Sequence, residues 1–282
     1  MYRFSSHTVV KPRAILLVAY ARHALTVNGL LDVDTMNLTS ACRSRNISKI
    51  NVKTPLIVPS FSSAIPQNRQ LHSEFSEYTP EASLVSAYDY RYGFIDRKEI
   101  WKSDVVFIDS GNYEISELAS SEKPRKWSLP MYLRVIDSLR PMSKVVLVNY
   151  DEKTSPSKQI STAKTLFAKY PQYAGCFLYK PSAKKKRFVD LSELIKNIGL
   201  ISEFDILGIA EKELGFSLRE RCENIIKIRE ALNSSQATMP LHVFGCLDPL
   251  SILAYFLCGA DIFDGTVWLK FIFRENVAIY SN

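Results

Sequence analysis

Short apolar runs alternate along this chain with longer stretches of helical periodicity. Eight runs read as strands: Pro55–Pro59, Ser83–Ala87, Val105–Asp109, Val145–Val148, Gly175–Tyr179, Asp205–Ile209, Leu241–Phe244 and Ala260–Asp264. Most are apolar on both faces, which marks strands of a buried parallel sheet. Between them, Leu129, Leu133, Ile136 and Leu139 recur at helical spacing over 128–139, and Ile160, Ala163, Leu166 and Phe167 do so over 157–170. Ser217 followed by Glu220 is a capping-box signature, and Leu218, Cys222, Ile225 and Leu232 beyond it share one helix face. Asp248-Pro249 gives an N-cap with proline at the first helical position. Alternating strand and helix predict an α/β protein. Eight strands in this length predict a (β/α)8 TIM barrel over residues 54–282, with a doubly wound sheet as runner-up.

The first 53 residues differ: RAILLVAY reads as an added strand and NGLLDVDTMNLTSACRSRN as a polar, turn-rich connection. They are expected to form an N-terminal extension capping the barrel. Residues 62–80 read as a polar loop, long enough for an active-site lid. No run approaches the roughly 18 apolar residues of a membrane span. Five widely spaced cysteines, with no C-x-x-C pair, indicate neither a disulfide framework nor a cysteine zinc site, and fit a reducing cytoplasm. A net charge of +7 is compatible with a polyanionic partner.

Four of the apolar runs end on acids: Asp109 in VVFIDSG, Asp151 and Glu152 in VVLVNYDE, Glu211 in DILGIAE and Asp264 in ADIFDG. Unpaired buried charge is costly, so acids repeated at strand ends point to one shared pocket. In a barrel those ends converge on the catalytic mouth. Paired carboxylates there suit glycosyl chemistry, one attacking or stabilising the sugar while the other moves protons. Mg²⁺ binding is an alternative use of the same acids. Ser110-Gly111-Asn112 predicts a tight turn after Asp109, with Tyr113 placed to lie against a flat ligand. The basic run Lys184-Lys185-Lys186-Arg187 follows a predicted strand, on the face where it could hold a phosphate backbone.

The order of these segments resembles the queuine/archaeosine tRNA-guanine transglycosylase superfamily. TPLIVPSFSSA resembles that family's T-P-x-F-M-P-V-G-T, SAYDYRY its G-N-T-Y-H-L, FIDSGNYE its D-S-G-G-[FY]-Q, and VVLVNYDEKTSP its segment ending F-D-E-C-T-P. FGCLDPLSILAYFLCGADIFDG resembles M-G-V-G-x-P-x-D-[IL] followed by G-[IV]-D-M-F-D. The resemblance runs from about Thr54 to Gly265. It implies a (β/α)8 barrel that exchanges guanine in a polynucleotide for a 7-deazaguanine base. By that resemblance Asp264 is the nucleophile on ribose C1′, Asp109 the general acid/base and Asp151 the reader of the purine's donor edge. Tyr113 stacks on the base and Phe244 forms the opposite wall. Ser110, Gly111 and Gly208 join the expected base-binding residues. Lys180, Lys184, Lys185, Lys186 and Arg187 are candidates for the nucleic-acid backbone.

Departures from the family shape the expectation. The family's C-terminal zinc site has no counterpart in the eighteen residues after Asp264. Its glutamine pair is replaced by Tyr179-Lys180-Pro181, and its G-G-L-x-x-G-E by LGIAEKELG. Without a zinc subdomain, the chain looks more like the DNA-modifying branch that inserts 7-cyano-7-deazaguanine (preQ0). The expected partners are therefore DNA ahead of tRNA and a small 7-deazaguanine base, with no cofactor, metal or membrane. Partner proteins for strand opening stay open. A tRNA enzyme, a non-catalytic nucleic-acid-binding subunit and a base-removing N-glycosidase are the alternatives.

Overall fold

The computed structural model describes residues 41–65, 68–118, 125–183, 185–274 and 277–280. Two short strands, β1 (Asn46–Ile47) and β2 (Val52–Lys53), form an antiparallel hairpin. Eight parallel strands then close a barrel: β3 (Leu56–Phe61), β4 (Ala82–Ser86), β5 (Val105–Asp109), β6 (Lys144–Val148), β7 (Ala174–Tyr179), β8 (Ile206–Ala210), β9 (Leu241–Phe244) and β10 (Ile262–Gly265). The last pairs with the first, Asp264 standing beside Val58. The TIM barrel expected from the apolar runs is thus present, and the doubly wound sheet is excluded by closure. A second hairpin, β11 (Phe271–Arg274) and β12 (Val277–Tyr280), follows it.

The helices are α1 (Asn68–Phe75), α2 (Ala87–Tyr92), α3 (Asn112–Leu118), α4 (Leu129–Ser138), α5 (Pro156–Lys169), α6 (Leu191–Lys196), α7 (Ile198–Ile201), α8 (Glu211–Leu214), α9 (Leu218–Ser234) and α10 (Pro249–Leu257). The helices expected over 128–139 and 157–170 are α4 and α5, within a residue of those bounds, and α9 and α10 begin where Ser217 and Asp248-Pro249 predict. Ser217 caps α9 by accepting from Glu220 N, and Glu220 returns a bond from Phe216 N at 2.8 Å. Asp248 caps α10 through Ser251 N. The polar stretch 62–80 is not simply a loop: α1 lies within it, with His72 buried against Phe61. Its polar composition concealed a helix whose inner face is made by Asn68 and His72. The RAILLVAY segment lies outside the described residues.

Side chains alternate across each strand. Leu56, Val58, Leu84, Val105, Phe107, Val146, Val148, Cys176, Leu178 and Ile262 fill the barrel interior. Val106, Ile108, Val145 and Leu147 point outward onto Tyr132, Val135 and Ile136. Opposite, Phe177, Leu207, Val243 and Phe263 pack with Ile225, Ile228, Leu232 and Tyr255. Both strand faces are therefore apolar, as the sequence pattern requires.

Ile47 of the first hairpin enters the same interior cluster and is fully buried. Its neighbour Arg45 reaches Asp261 at the foot of β10, Nη1 to Oδ1 2.8 Å. Asp261 also accepts from Arg229 Nη2 at 2.6 Å and from Leu241 N at 2.8 Å. One buried carboxylate thus ties the hairpin, α9 and β9 to the bottom of the barrel. Burial pushes the Asp261 carboxyl up, opposed by Arg229 and Arg45. Among the described residues no helix is long and apolar enough to cross a membrane, and all five cysteines are free.

Candidate active site

A cavity of about 360 Å³ opens at the C-terminal ends of the barrel strands, within the range of small-molecule sites. Asp109, Asp151, Glu211 and Asp264 all line it, together with Tyr113, Lys180 and Phe244. The convergence of strand-end acids expected from the sequence is a feature of the folded chain; Glu152, by contrast, is exposed and outside it.

Asp264 projects inward from β10 and accepts three hydrogen bonds. Ser60 Oγ donates to Oδ2 at 2.7 Å; His242 Nε2 and Gly245 N donate to Oδ1 at 3.0 and 3.2 Å. The imidazole bond requires the proton on Nε2. His242 is fully buried one layer below, stacked on Phe244 with ring centroids 3.8 Å apart and edge-on to Phe107. Its Nδ1 lies 4.0 Å from Cys176 Sγ. Gly245 has φ +77, a left-handed conformation that turns its N–H toward Asp264. Gly208 faces the interior of β8 rather than the cavity itself: a Cβ there would stand 2.5 Å from Phe244 Cε2. It contributes space, letting the Phe244 ring lie flat on His242.

Asp109 ends β5, and Asp151 follows β6 across from it. Asp109 Oδ2 accepts from Gly111 N at 3.0 Å, in the tight turn that Gly111 makes with φ +89. A Cβ on Gly111 would meet Tyr88 Cβ at 2.7 Å. Ser110 Oγ donates to Asp151 Oδ1, and Asn112 Nδ2 bonds both the Asp151 carbonyl, at 2.9 Å, and its carboxylate, at 3.1 Å. The Ser110 carbonyl is held by Trp127 Nε1 at 2.9 Å. Burial, with Asp151, Glu114 and Asp264 nearby, pushes the Asp109 carboxyl up to about 8, against the pull of the Gly111 N–H. At neutral pH Asp109 therefore holds a proton. Tyr113 is 42% exposed, and it and Phe244 both line the cavity.

Two further acids stand behind Asp109. Asp89 on α2 is fully buried and accepts from Ser63 N at 2.8 Å and from Ser63 Oγ. Glu114 on α3 accepts from Ser62 Oγ at 2.7 Å and lines the cavity. Burial raises both, Asp89 to about 7 and Glu114 to about 8. Sequence reasoning missed both acids, as well as Ser60 and His242. Placing the strand end at Pro59 left Ser60 outside the inward alternation of residues 56, 58 and 60. His242 carried a usable signal: a polar ring at an inward position of an apolar strand, two residues before Phe244.

Lys180 turns into the cavity wall, Nζ 2.9 Å from Glu213 Oε1 and 3.8 Å from Asp151 Oδ2. Gln159 of α5 clamps its backbone at both N and O, each at 2.9 Å. Glu211 is engaged by Arg221 Nη1 and Tyr255 OH, both at 2.8 Å, which makes it a strut of the rim. Lys185, Lys186 and Arg187 are exposed on the loop after β7 and outside the cavity lining, while Lys184 lies outside the described residues. Among the described residues no group of three or more His, Cys, Asp or Glu is arranged to hold a metal ion. Comparison with protein-family models and with curated proteins finds no match to this chain.

Proposed function

We propose that this protein is a base-exchanging transglycosylase, replacing guanine in a polynucleotide, DNA ahead of tRNA, with a 7-deazaguanine such as preQ0. The observation that carries the reading is the meeting of Asp264, Asp109 and Asp151 around one cavity in three different environments. Asp264 is held by three donors in a single orientation, as a nucleophile needs. Asp109 carries a proton at neutral pH, as a general acid needs. Asp151 is fixed by Ser110 and Asn112 through Oδ1 and its carbonyl, and Oδ2, with Lys180 Nζ 3.8 Å away, is the acceptor offered to an N–H donor of a guanine.

In the forward step Asp264 attacks C1′ of the target nucleotide as the C1′–N9 bond breaks. The electron pair leaves on guanine, which takes a proton from Asp109. The sugar is then held as an aspartyl ester, preserving its activation. The incoming 7-deazaguanine gives its N9 proton to Asp109 and attacks C1′, expelling Asp264. Phe244 and Tyr113, both in the cavity lining, are the rings offered to the flat base. In duplex DNA the target base has to leave the stack to reach this depth.

The test is guanine release from labelled DNA or tRNA, with and without preQ0. Release only with preQ0 supports exchange, and release without it supports hydrolysis. Binding with no release from either polymer would sink the enzyme reading. Asp264→Asn is expected to abolish a covalent protein–polynucleotide adduct.

A further inference from the structure

The loop after β7 and the start of α9 carry an aromatic–arginine cluster that the chemistry above does not use. Phe216, just before α9, is 66% exposed. Its ring meets Phe188 edge-on with centroids 4.4 Å apart, and the Arg187 guanidinium sits over both rings, 4.6 Å from Phe216 and 5.3 Å from Phe188. Local structure does not account for this exposure. The backbone need at the helix start is met by Ser217 and Glu220. The usual packing partner of a residue in this position would be the side chain five places on, and Arg221 there is turned to Glu211.

The cluster is joined to the site. Val189 N donates to Glu213 O at 3.0 Å, knitting the β7 loop to α8. Lys212 lines the cavity, and Glu213 on the same short helix holds Lys180 in its wall. Besides Arg187, the exposed cations close in the chain are Lys185 and Lys186, on the same loop as Phe188, and Lys212, four residues before Phe216. Against them stand Asp190, 3.8 Å from Lys186, and Glu220, whose Oε2 accepts from Phe216 N at 2.8 Å. The surface is thus cationic with a flat apolar face at its centre. That combination fits a single-stranded nucleic acid, whose phosphates seek the cations while a base stacks on the ring.

We infer that Phe216, braced by Phe188 and Arg187, is a stacking platform for an unpaired base next to the nucleotide held in the cavity. This rests on the polynucleotide reading above and adds to it that the strand is bound single-stranded at the rim. Arg187, already committed to both rings, stiffens the platform while adding positive charge. Base–aromatic stacking tolerates any base, so the platform would bind a flanking position without choosing its sequence.

The experiment is fluorescence-anisotropy titration of the full chain with a labelled guanine-containing 12-nucleotide single-stranded DNA at several salt concentrations. Phe216→Ala is expected to weaken binding about ten-fold with little change in the salt slope. Arg187→Ala should weaken it and reduce the slope, and Phe216→Trp should retain binding with quenched indole emission. Equal affinity for the parent and Phe216→Ala would overturn the proposal. So would loss of a dimer in Phe216→Ala, by sedimentation, with DNA binding untouched. Exchange assays separate the two readings. A raised KM for the oligonucleotide with unchanged kcat in Phe216→Ala supports the platform. Absence of exchange in the parent refutes the transglycosylase while the stacking result stands on its own.

Discussion

Gly208→Ala tests how the cavity floor is held, because one methyl group there has to propagate. An ideal Cβ at residue 208 would stand 2.5 Å from Phe244 Cε2, 3.2 Å from Cδ2 and 3.3 Å from Cys176 Sγ. Unstrained carbon contacts need about 3.5–4.0 Å, so the ring has to move by about 1 Å. It cannot move freely, since it is stacked 3.8 Å from His242. His242 in turn holds Asp264 at 3.0 Å. Overpacking of this kind typically costs about 1–3 kcal/mol. Urea denaturation should show that loss. Phe244→Leu in the same chain should relieve it, making the double variant more stable than the sum of the single effects. Binding of 9-methylguanine should weaken in Gly208→Ala, because the wall against which a base would lie has shifted. A variant within about 0.5 kcal/mol of the parent, or strictly additive with Phe244→Leu, would refute the close packing of floor and wall.

Three other outcomes follow from the same structure. Asp261→Asn should cost about 3–5 kcal/mol in denaturation experiments, because it strips the buried Arg45 and Arg229 of their shared carboxylate; a loss below about 1 kcal/mol would contradict the role assigned to it. Asp109 and Glu114 are raised to about 8 and Asp89 to about 7, from roughly 4 in an unfolded chain. Between about 4 and 8 the folded chain therefore holds protons that the unfolded chain has released, and stability falls as pH rises. Asp109→Asn should flatten that decline when unfolding is measured at pH 5 and pH 8, and an unchanged slope would count against the burial argument. Ser60→Ala removes a hydrogen bond to a carboxylate worth about 1.5–3 kcal/mol; single-turnover adduct formation should slow by about ten-fold or more with guanine affinity retained, and an unchanged rate would leave Ser60 without a function in the step.

The barrel was legible because its signal is local. Strands covered on both faces are apolar almost throughout, so β5 and β9 could be read to the residue, even with His242 buried inside β9. Helices α2, α3, α6 and α8 were not legible. They are four to seven residues long, and α2 is set by a cap, Ser86 accepting from Tyr88 N, rather than by periodicity. The same division runs through the site. Asp109 and Asp264 sit on strand ends, where position along the chain fixes position in space. Asp89 and Glu114 reach the site from short helices beyond those ends, and their serine partners come from the segment after β3. Such pairings span 26 and 52 residues, so no spacing rule exposes them.

Lys180 marks where charge, rather than geometry, decides what the mouth can accept. The cavity is lined by Asp109, Glu114, Asp151, Glu211 and Asp264, with Lys180 and Lys212 as its cations. Fully ionised, those acids would repel a phosphate. Protonated Asp109 and Glu114 reduce the charge, Lys180 is taken up by Glu213, and Arg221 neutralises Glu211. What remains inside suits a neutral base with donor groups, not a phosphodiester. The whole chain nevertheless carries a net charge of +7, these acids included. On the rim, Lys185, Lys186 and Arg187 face solvent. On the proposed reading a polynucleotide would be held at the edge with one base pointing inward, and raising the pH through about 8 would ionise Asp109 and Glu114. Base uptake should then weaken before backbone binding does. Titrating 9-methylguanine and a single-stranded oligonucleotide separately from pH 6 to 9 tests this partition. Parallel loss of both affinities would show that the inner acids and the outer cations do not act as separate fields.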